Sequence, residues 1–226
     1  MMIINLCFHG IGTPQRELEP DEAGYWIEAE LYEDVLDRFG SRPDVRISFD
    51  DGNASDLEIG LPGLLRRGLT ATVFPLAGRL DQPGSLSRAD VRELGRSGLT
   101  IGSHGLTHRP WRDLDDHDLD RELILARADL AEASRHGITQ AALPLGRYDR
   151  RVLARLRTLG YRRVFTSDRA PAKARSWLQA RYTVRSGDTV ESLERELLGP
   201  RPLARRIRSR AATFYKSNRP APRLAS

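Results

Sequence analysis

Cysteine is nearly absent from the 226 residues: Cys7 stands alone, which excludes an internal disulfide and a Cys-rich metal site. Long hydrophobic runs are missing too. No window approaches the roughly 20 apolar residues that span a bilayer, so no membrane-crossing helix is expected. The opening MMIINLCFHGIG lacks a basic segment, and its apolar run is about as long as one strand. It reads as a first strand rather than a signal peptide, which points to a cytoplasmic protein. No internal repeat or low-complexity stretch is present.

What is there suits a globular chain. Hydrophobic residues make up 39% and charged residues 30%, and the length fits one domain with a full core. The net charge of +5 comes mostly from Arg and is uneven, since RPLARRIRSR (201–210) holds five arginines and no acid. That run is either the solvated face of a terminal helix or a peripheral contact with an anionic inner membrane surface. It has no interleaved aromatics, so nucleic acid is not an expected partner.

Short apolar runs alternate with amphipathic stretches. Strands are expected at 3–9, 45–49, 70–76, 99–104, 140–145, 162–167 and, as a short last one, 181–184. Helices are expected near 26–40, 54–67, 87–97, 116–136, 148–159 and 188–213, with Gly40, Gly68, Gly98, Gly137 and Gly160 as stops. Such alternation implies parallel strands with helical crossovers, either an incomplete barrel or an open doubly wound sheet. Residues 1–187 would form the domain, 188–213 a terminal Arg-rich helix, and 214–226 a flexible tail.

In both architectures functional groups collect at the C-terminal ends of strands. His9, Asp50, Asp51, His104 and the PLG of 144–146 all fall at such ends. His104 and His108, four apart in SHGLTH, would face one side of a helical turn and could share a cation. Two His and one carboxylate make a metal site with positions left open for water and substrate. The adjacent acids after ISF then divide the work: one grips the cation while its free neighbour acts as general base.

SFDDG, then SHGLTH, then ALPLGRYD, in this order and spacing, resemble the polysaccharide deacetylase family (NodB homology domain, carbohydrate esterase 4). The likeness spans 3 to about 168, and FHGIG resembles the first strand of the bacterial exopolysaccharide N-deacetylase branch. The resemblance implies a distorted (β/α)7 barrel that hydrolyses N-acetyl, or another N-acyl, groups of a saccharide. It implies Asp50 as general base, and Asp51, His104 and His108 as ligands of a divalent metal. It also implies that Pro144, Leu145 and Gly146 line the substrate groove, with the Leu145 N–H holding the oxyanion. A His2Asp set suits Zn2+, and also Co2+, Ni2+ or Fe2+.

The chain departs from the family's pattern in two places. Ala142 stands where the family often has an Arg that orients the base, and no His follows His136 to serve as the late general acid. His9 is the remaining candidate acid, with a satisfied barrel histidine as the alternative. Trp111 either walls the groove or packs beneath it. His117 reads as an exposed helix residue and His136 as a helix C-terminal cation. Asp168 and Trp177 match the family's late Asp–Trp poorly. Three functions follow: a metal-dependent saccharide N-deacetylase, the same chemistry on a small or lipid-linked sugar precursor, or a non-catalytic sugar-binding relic.

Overall fold

The structure is a computed structural model that describes residues 1–200 and 203–220, with the side chains of 203–210 left aside. Strand β1 (Met2–Phe8) leads into a two-residue β2 (Gly10–Ile11), which pairs in parallel with β3 (Trp26–Ile27). Gly10 is required there, because a Cβ would lie 2.0 Å from the Trp26 ring. Helix α1 (Ala29–Phe39) follows, so the helix expected from 26 begins only after β3.

Next come β4 (Val45–Asp51), α2 (Leu61–Leu65), β5 (Ala71–Pro75), α3 (Arg88–Arg96) and β6 (Thr100–Ile101). Asp56–Gly60 forms a π-helical turn ahead of α2, and Arg121–Leu125 another between α4 (Asp116–Asp120) and α5 (Ala126–Ser134). Strand β7 (Gln140–Ala142), α6 (Arg150–Thr158) and β8 (Arg163–Thr166) complete the alternation. Short strands β9 (Ala172–Lys173), β10 (Leu178–Ala180) and β11 (Tyr182–Thr183) precede α7 (Val190–Leu198) and α8 (Leu203–Asn218).

The parallel order β11-β1-β4-β5-β6 meets a second parallel order, β7-β8-β10. The two are joined at one side by a bridge between Ser103 and Ala141, with Ser103 N–H donating to Gln140 O at 3.0 Å. At the other side the chain itself joins them. Residues 178–180 pair with β8, and 182–183 pair with β1, with Arg181 at the changeover. Seven strand positions thus close a barrel, as the sequence led one to expect, with β9 alone running antiparallel to β1.

Alternation along β4 sends Ile47 and Phe49 to the helix-covered side, where Phe49 packs with Phe8 and Tyr32. Ser48 and Asp50 take the other side, inside the barrel, where Phe74, Ala142 and Phe165 form their own small cluster. Helix starts follow capping chemistry: Ser87 and Asp90 form a capping box for α3, and Asp149 caps α6 through Val152 N–H.

Some boundaries differ from the sequence reading. Gly68, Gly98 and Gly160 take left-handed backbone after their helices, but α5 is closed by Arg135 (φ 61°) rather than Gly137, and Gly40 stays right-handed. The ladder of β6 is only two residues long, although Gly102 and His104 still donate to Val73 O and Pro75 O. The terminal helix is two helices, because Gly199 and Pro200 interrupt it, and α8 runs on to Asn218. Of the Arg-rich 201–210, the side chains lie outside the described residues, as do 221–226 of the expected tail. Among the described residues, no helix is long and apolar enough to cross a membrane.

Candidate active site

The C-terminal ends of the barrel strands open into a cavity of about 330 Å3. Asp50 and Asp51 form its floor. In a regular strand two neighbours point to opposite faces, yet both carboxylates serve this cavity. The cause is local: Asp51 has φ 74° and Gly52 φ 73°, so the chain turns at the strand end and re-aims the second acid. His108 (φ 61°) and Leu145 (φ 54°) are also left-handed, so three of the expected site residues hold backbone conformations that non-glycine residues rarely adopt.

The histidines converge on one oxygen. Nε2 of His104 and Nε2 of His108 each lie 3.5 Å from Asp51 Oδ1. That oxygen is buried with no hydrogen-bond partner among the described residues. One ligand atom from each of the three falls within 4.8 Å of the others. The far ring nitrogens are tied down, His104 Nδ1 to Ala142 O at 3.0 Å and His108 Nδ1 to Glu19 Oε2 at 2.7 Å. Burial lowers the pKa of His104, against the pull of Asp50 and Asp51, which favours the neutral ring that a cation needs. An orphaned buried carboxylate oxygen between two free imidazole nitrogens fits a divalent ion. Burial alone would raise the Asp51 carboxyl, but His9, His108 and His104 together hold it below the usual range.

The loop between the histidines is held from behind. Buried Glu122, in the π-helical turn, accepts from Leu106 N–H at 2.6 Å and Thr107 N–H at 3.1 Å. Trp111 is fully buried and packs behind Gly105, where a Cβ would come 2.9 Å from its Nε1. It is not among the residues that line the cavity, and the structure places it behind the histidine loop.

Asp50 is placed beside this triad, its Oδ2 3.9 Å from His104 Nε2. Its partner was not foreseen. Arg181, at the changeover between β10 and β11, grips both oxygens of Asp50 at 2.6 Å each and touches Ser48 Oγ at 3.2 Å. Both side chains are about fully buried, at 1% and 2% exposure. The guanidinium lies over the rings of Phe74 and Phe165, which also cluster with Ala142. The small residue in the position of the expected Arg therefore borders the space that Arg181 fills. Burial would raise the Asp50 carboxyl, but Arg181 and then His104 hold it far below the carboxylate range, and Asp50 in turn keeps Arg181 charged against its own burial.

His9 lines the cavity, its ring 5.1 Å from that of Tyr25, and its Nδ1 is buried with no partner among the described residues. Leu145 projects into the cavity mouth, 56% exposed, while Pro144 and Gly146 are buried behind it. His117 is exposed at 79%, as expected. Asp168 faces away from the triad and binds Tyr148, Thr166 and Lys216. Glu19, the partner of His108, escaped the sequence reading altogether.

Residues 38–164 match the family described as polysaccharide deacetylase. The chain belongs to that family. The matched span includes Asp50, Asp51, His104, His108 and the 144–146 turn, and excludes His9, Glu19 and Arg181. A putative polysaccharide deacetylase of Bacillus subtilis (strain 168), YxkH, is 24% identical over 168 residues, 74% of this chain. The chain spans 58% of the length of that relative. Among solved structures, the deacetylase PplD of Streptococcus pyogenes, in complex with acetate, superposes with a TM-score of 0.75 at 18% identity. That match covers 89% of this chain and 99% of the other. IcaB from Ammonifex degensii superposes with a TM-score of 0.66 at 19% identity, covering 88% and 96%. The fold is that of these deacetylases, a barrel of the NodB type.

Proposed function

We propose that the chain is a metal-dependent hydrolase that removes N-acetyl, or other N-acyl, groups from a saccharide. The observation that carries the reading is the buried Asp51 Oδ1, without a hydrogen-bond partner among the described residues and midway between two imidazole nitrogens, with an ionised Asp50 next to it. Asp51, His104 and His108 would hold the ion, Zn2+ by preference for this donor set, with Co2+, Ni2+ or Fe2+ as alternatives. When bound it supplies a lowered water pKa and a polarised acyl carbonyl.

The chain's own residues do the rest. Asp50 accepts the proton of the attacking water, and Arg181 fixes both its oxygens so that it can do so only along one direction. The water oxygen bonds to the acyl carbon, and the Leu145 N–H donates to the oxyanion that forms. One such donor typically contributes about 2.7–4 kcal/mol to the transition state. As the C–N bond breaks, the leaving nitrogen takes a proton, which His9 at the cavity wall supplies. Acylate and a free amine leave.

Arg181 also bears on the relic reading. Although Ala142 stands where the family often has its base-orienting Arg, a buried bidentate guanidinium still holds Asp50. The test is amine release from N-acetylglucosamine oligomers by metal-stripped and Zn2+-reconstituted protein. Reconstituted turnover that vanishes in Asp50→Asn supports the reading. One bound equivalent of Zn2+ with no turnover on polymeric, small or lipid-linked acetylated sugars contradicts it.

A further inference from the structure

The stretch between β2 and β3, residues 12–25, forms one wall of the cavity, with Glu19, Asp21, Glu22 and Tyr25 lining it. The β2–β3 pair holds both its ends, and Gly12 N–H donates to Ile27 O at 2.8 Å. Its middle is stitched to the catalytic motifs at two points. Arg16 donates to Asn53 Oδ1 at 3.0 and 2.9 Å, two residues beyond Asp51, and pairs with Glu22. Glu19 accepts from His108 Nδ1 at 2.7 Å and pairs on its other oxygen with Arg79.

The Glu19–His108 contact fixes a tautomer. With the proton on Nδ1 and directed at a carboxylate, Nε2 carries the lone pair, and that nitrogen faces Asp51 Oδ1. A carboxylate behind a ligand imidazole makes it a better donor and locks its ring plane. His104 has a neutral carbonyl in the equivalent place, so the two histidines are supported unequally.

We infer that Glu19 is a positioning residue for the metal centre, orienting and strengthening His108 as a ligand and thereby tying the 12–25 wall of the saccharide cavity to metal occupancy. The inference rests on the metal-dependent reading above. Because binding linkage is reciprocal, an ion that is held more tightly through Glu19 also holds that wall more firmly. Arg79, on the far side of Glu19, pairs with its other oxygen and keeps the carboxylate aimed.

The full chain, stripped of metal, is titrated with Zn2+ against a chromophoric chelator, with the visible spectrum of the Co2+ form as a second readout. Glu19→Ala is expected to weaken Zn2+ affinity by about 10–100-fold, and Glu19→Gln, which keeps an acceptor without the charge, by less. The Co2+ spectrum shifts in both, while metal-free melting stays at the parent temperature. Glu17→Ala, on the same segment but exposed and not lining the cavity, keeps parent affinity. Hydrogen exchange across 12–25 slows on Zn2+ binding in the parent and not in Glu19→Ala.

Parent-like affinity in a folded Glu19→Ala overturns the inference and leaves the metal-dependent reading standing. Equal weakening by Glu17→Ala also overturns it, since the effect would then belong to the loop as a whole. A parent that binds no divalent ion overturns both. If Glu19→Ala does not fold, Glu19→Gln decides alone: weakened binding with a shifted Co2+ spectrum supports the role, and unchanged binding removes it.

Discussion

The two carboxylates of the site are neighbours in sequence and opposites in environment. Asp51 is buried, one oxygen having two imidazole nitrogens at 3.5 Å and no hydrogen-bond partner among the described residues. Asp50 is equally buried but partnered, one N–H of Arg181 on each oxygen, with lone pairs left to accept a proton. On the proposed reading the first receives a cation and the second keeps its charge and direction. What separates them is a single left-handed residue at the end of β4 and one arginine from two strand positions away in the barrel.

The largest effects should come from abolishing the difference on either side. Asp51→Ala removes a ligand, so Zn2+ binding measured by chelator competition should be lost and kcat should fall by about 10³-fold or more. Asp50→Asn keeps the shape and removes the proton acceptor. Its Zn2+ affinity should stay near parent while kcat falls by about 10²–10⁴-fold, a split that no ligand variant would show.

Arg181→Met sharpens the comparison from the other end. It leaves Asp50 charged, buried and uncompensated, so unfolding in urea should show a loss of about 3–5 kcal/mol, with kcat reduced and Zn2+ affinity less affected. Adding Ala142→Arg to that variant, which returns the guanidinium to the position where the family often carries it, should recover part of both losses. Failure to recover either would mean that Arg181 supports the barrel closure rather than Asp50.

The same pair sets a pH dependence. The Asp50 carboxyl titrates near ~3.9 in the unfolded chain and lower in the folded one, so its stabilisation is present above about pH 4. It is lost as pH falls through the folded value. Removing the cause should therefore move the acid-unfolding midpoint of Arg181→Met upward, read by circular dichroism.

The smallest effect concerns Asp56, a third buried acid, both of whose oxygens lack partners among the described residues. Burial, with Asp51 and Asp50 adding, pushes its carboxyl well above the usual range. A raised carboxyl costs stability as pH climbs from about 4 toward its folded value. Asp56→Asn should thus melt with the parent near pH 4 and above it at pH 8.

Sequence patterns reached the parts of the site that are local. Asp50 and Asp51 end one strand, and His104 and His108 stand four apart on one loop, where left-handed backbone at Gly105 and His108 replaces the helical turn expected for them, so short motifs sufficed. The barrel itself was legible in the alternation of strands and helices. Arg181 was not, because its partner lies 131 residues away and an Arg-rich chain offers many candidates. The one usable signal was negative: Ala142 leaves the base without a cation, so some other strand end had to provide it. Glu19 was hidden for the same reason, 89 residues from His108 in a loop without periodicity. The π-helical turns at Asp56–Gly60 and Arg121–Leu125 escaped notice because one extra residue per turn barely disturbs an apolar stripe.

The direct test of the account is an anomalous-scattering map from crystals of the full chain grown with Zn2+. A single strong peak about 2.0–2.2 Å from Asp51 Oδ1 and from the Nε2 atoms of His104 and His108, with Asp50 still gripped by Arg181, is the predicted result. A peak bound elsewhere, or one that recruits Asp50 and leaves Asp51 aside, would contradict the division between the two acids.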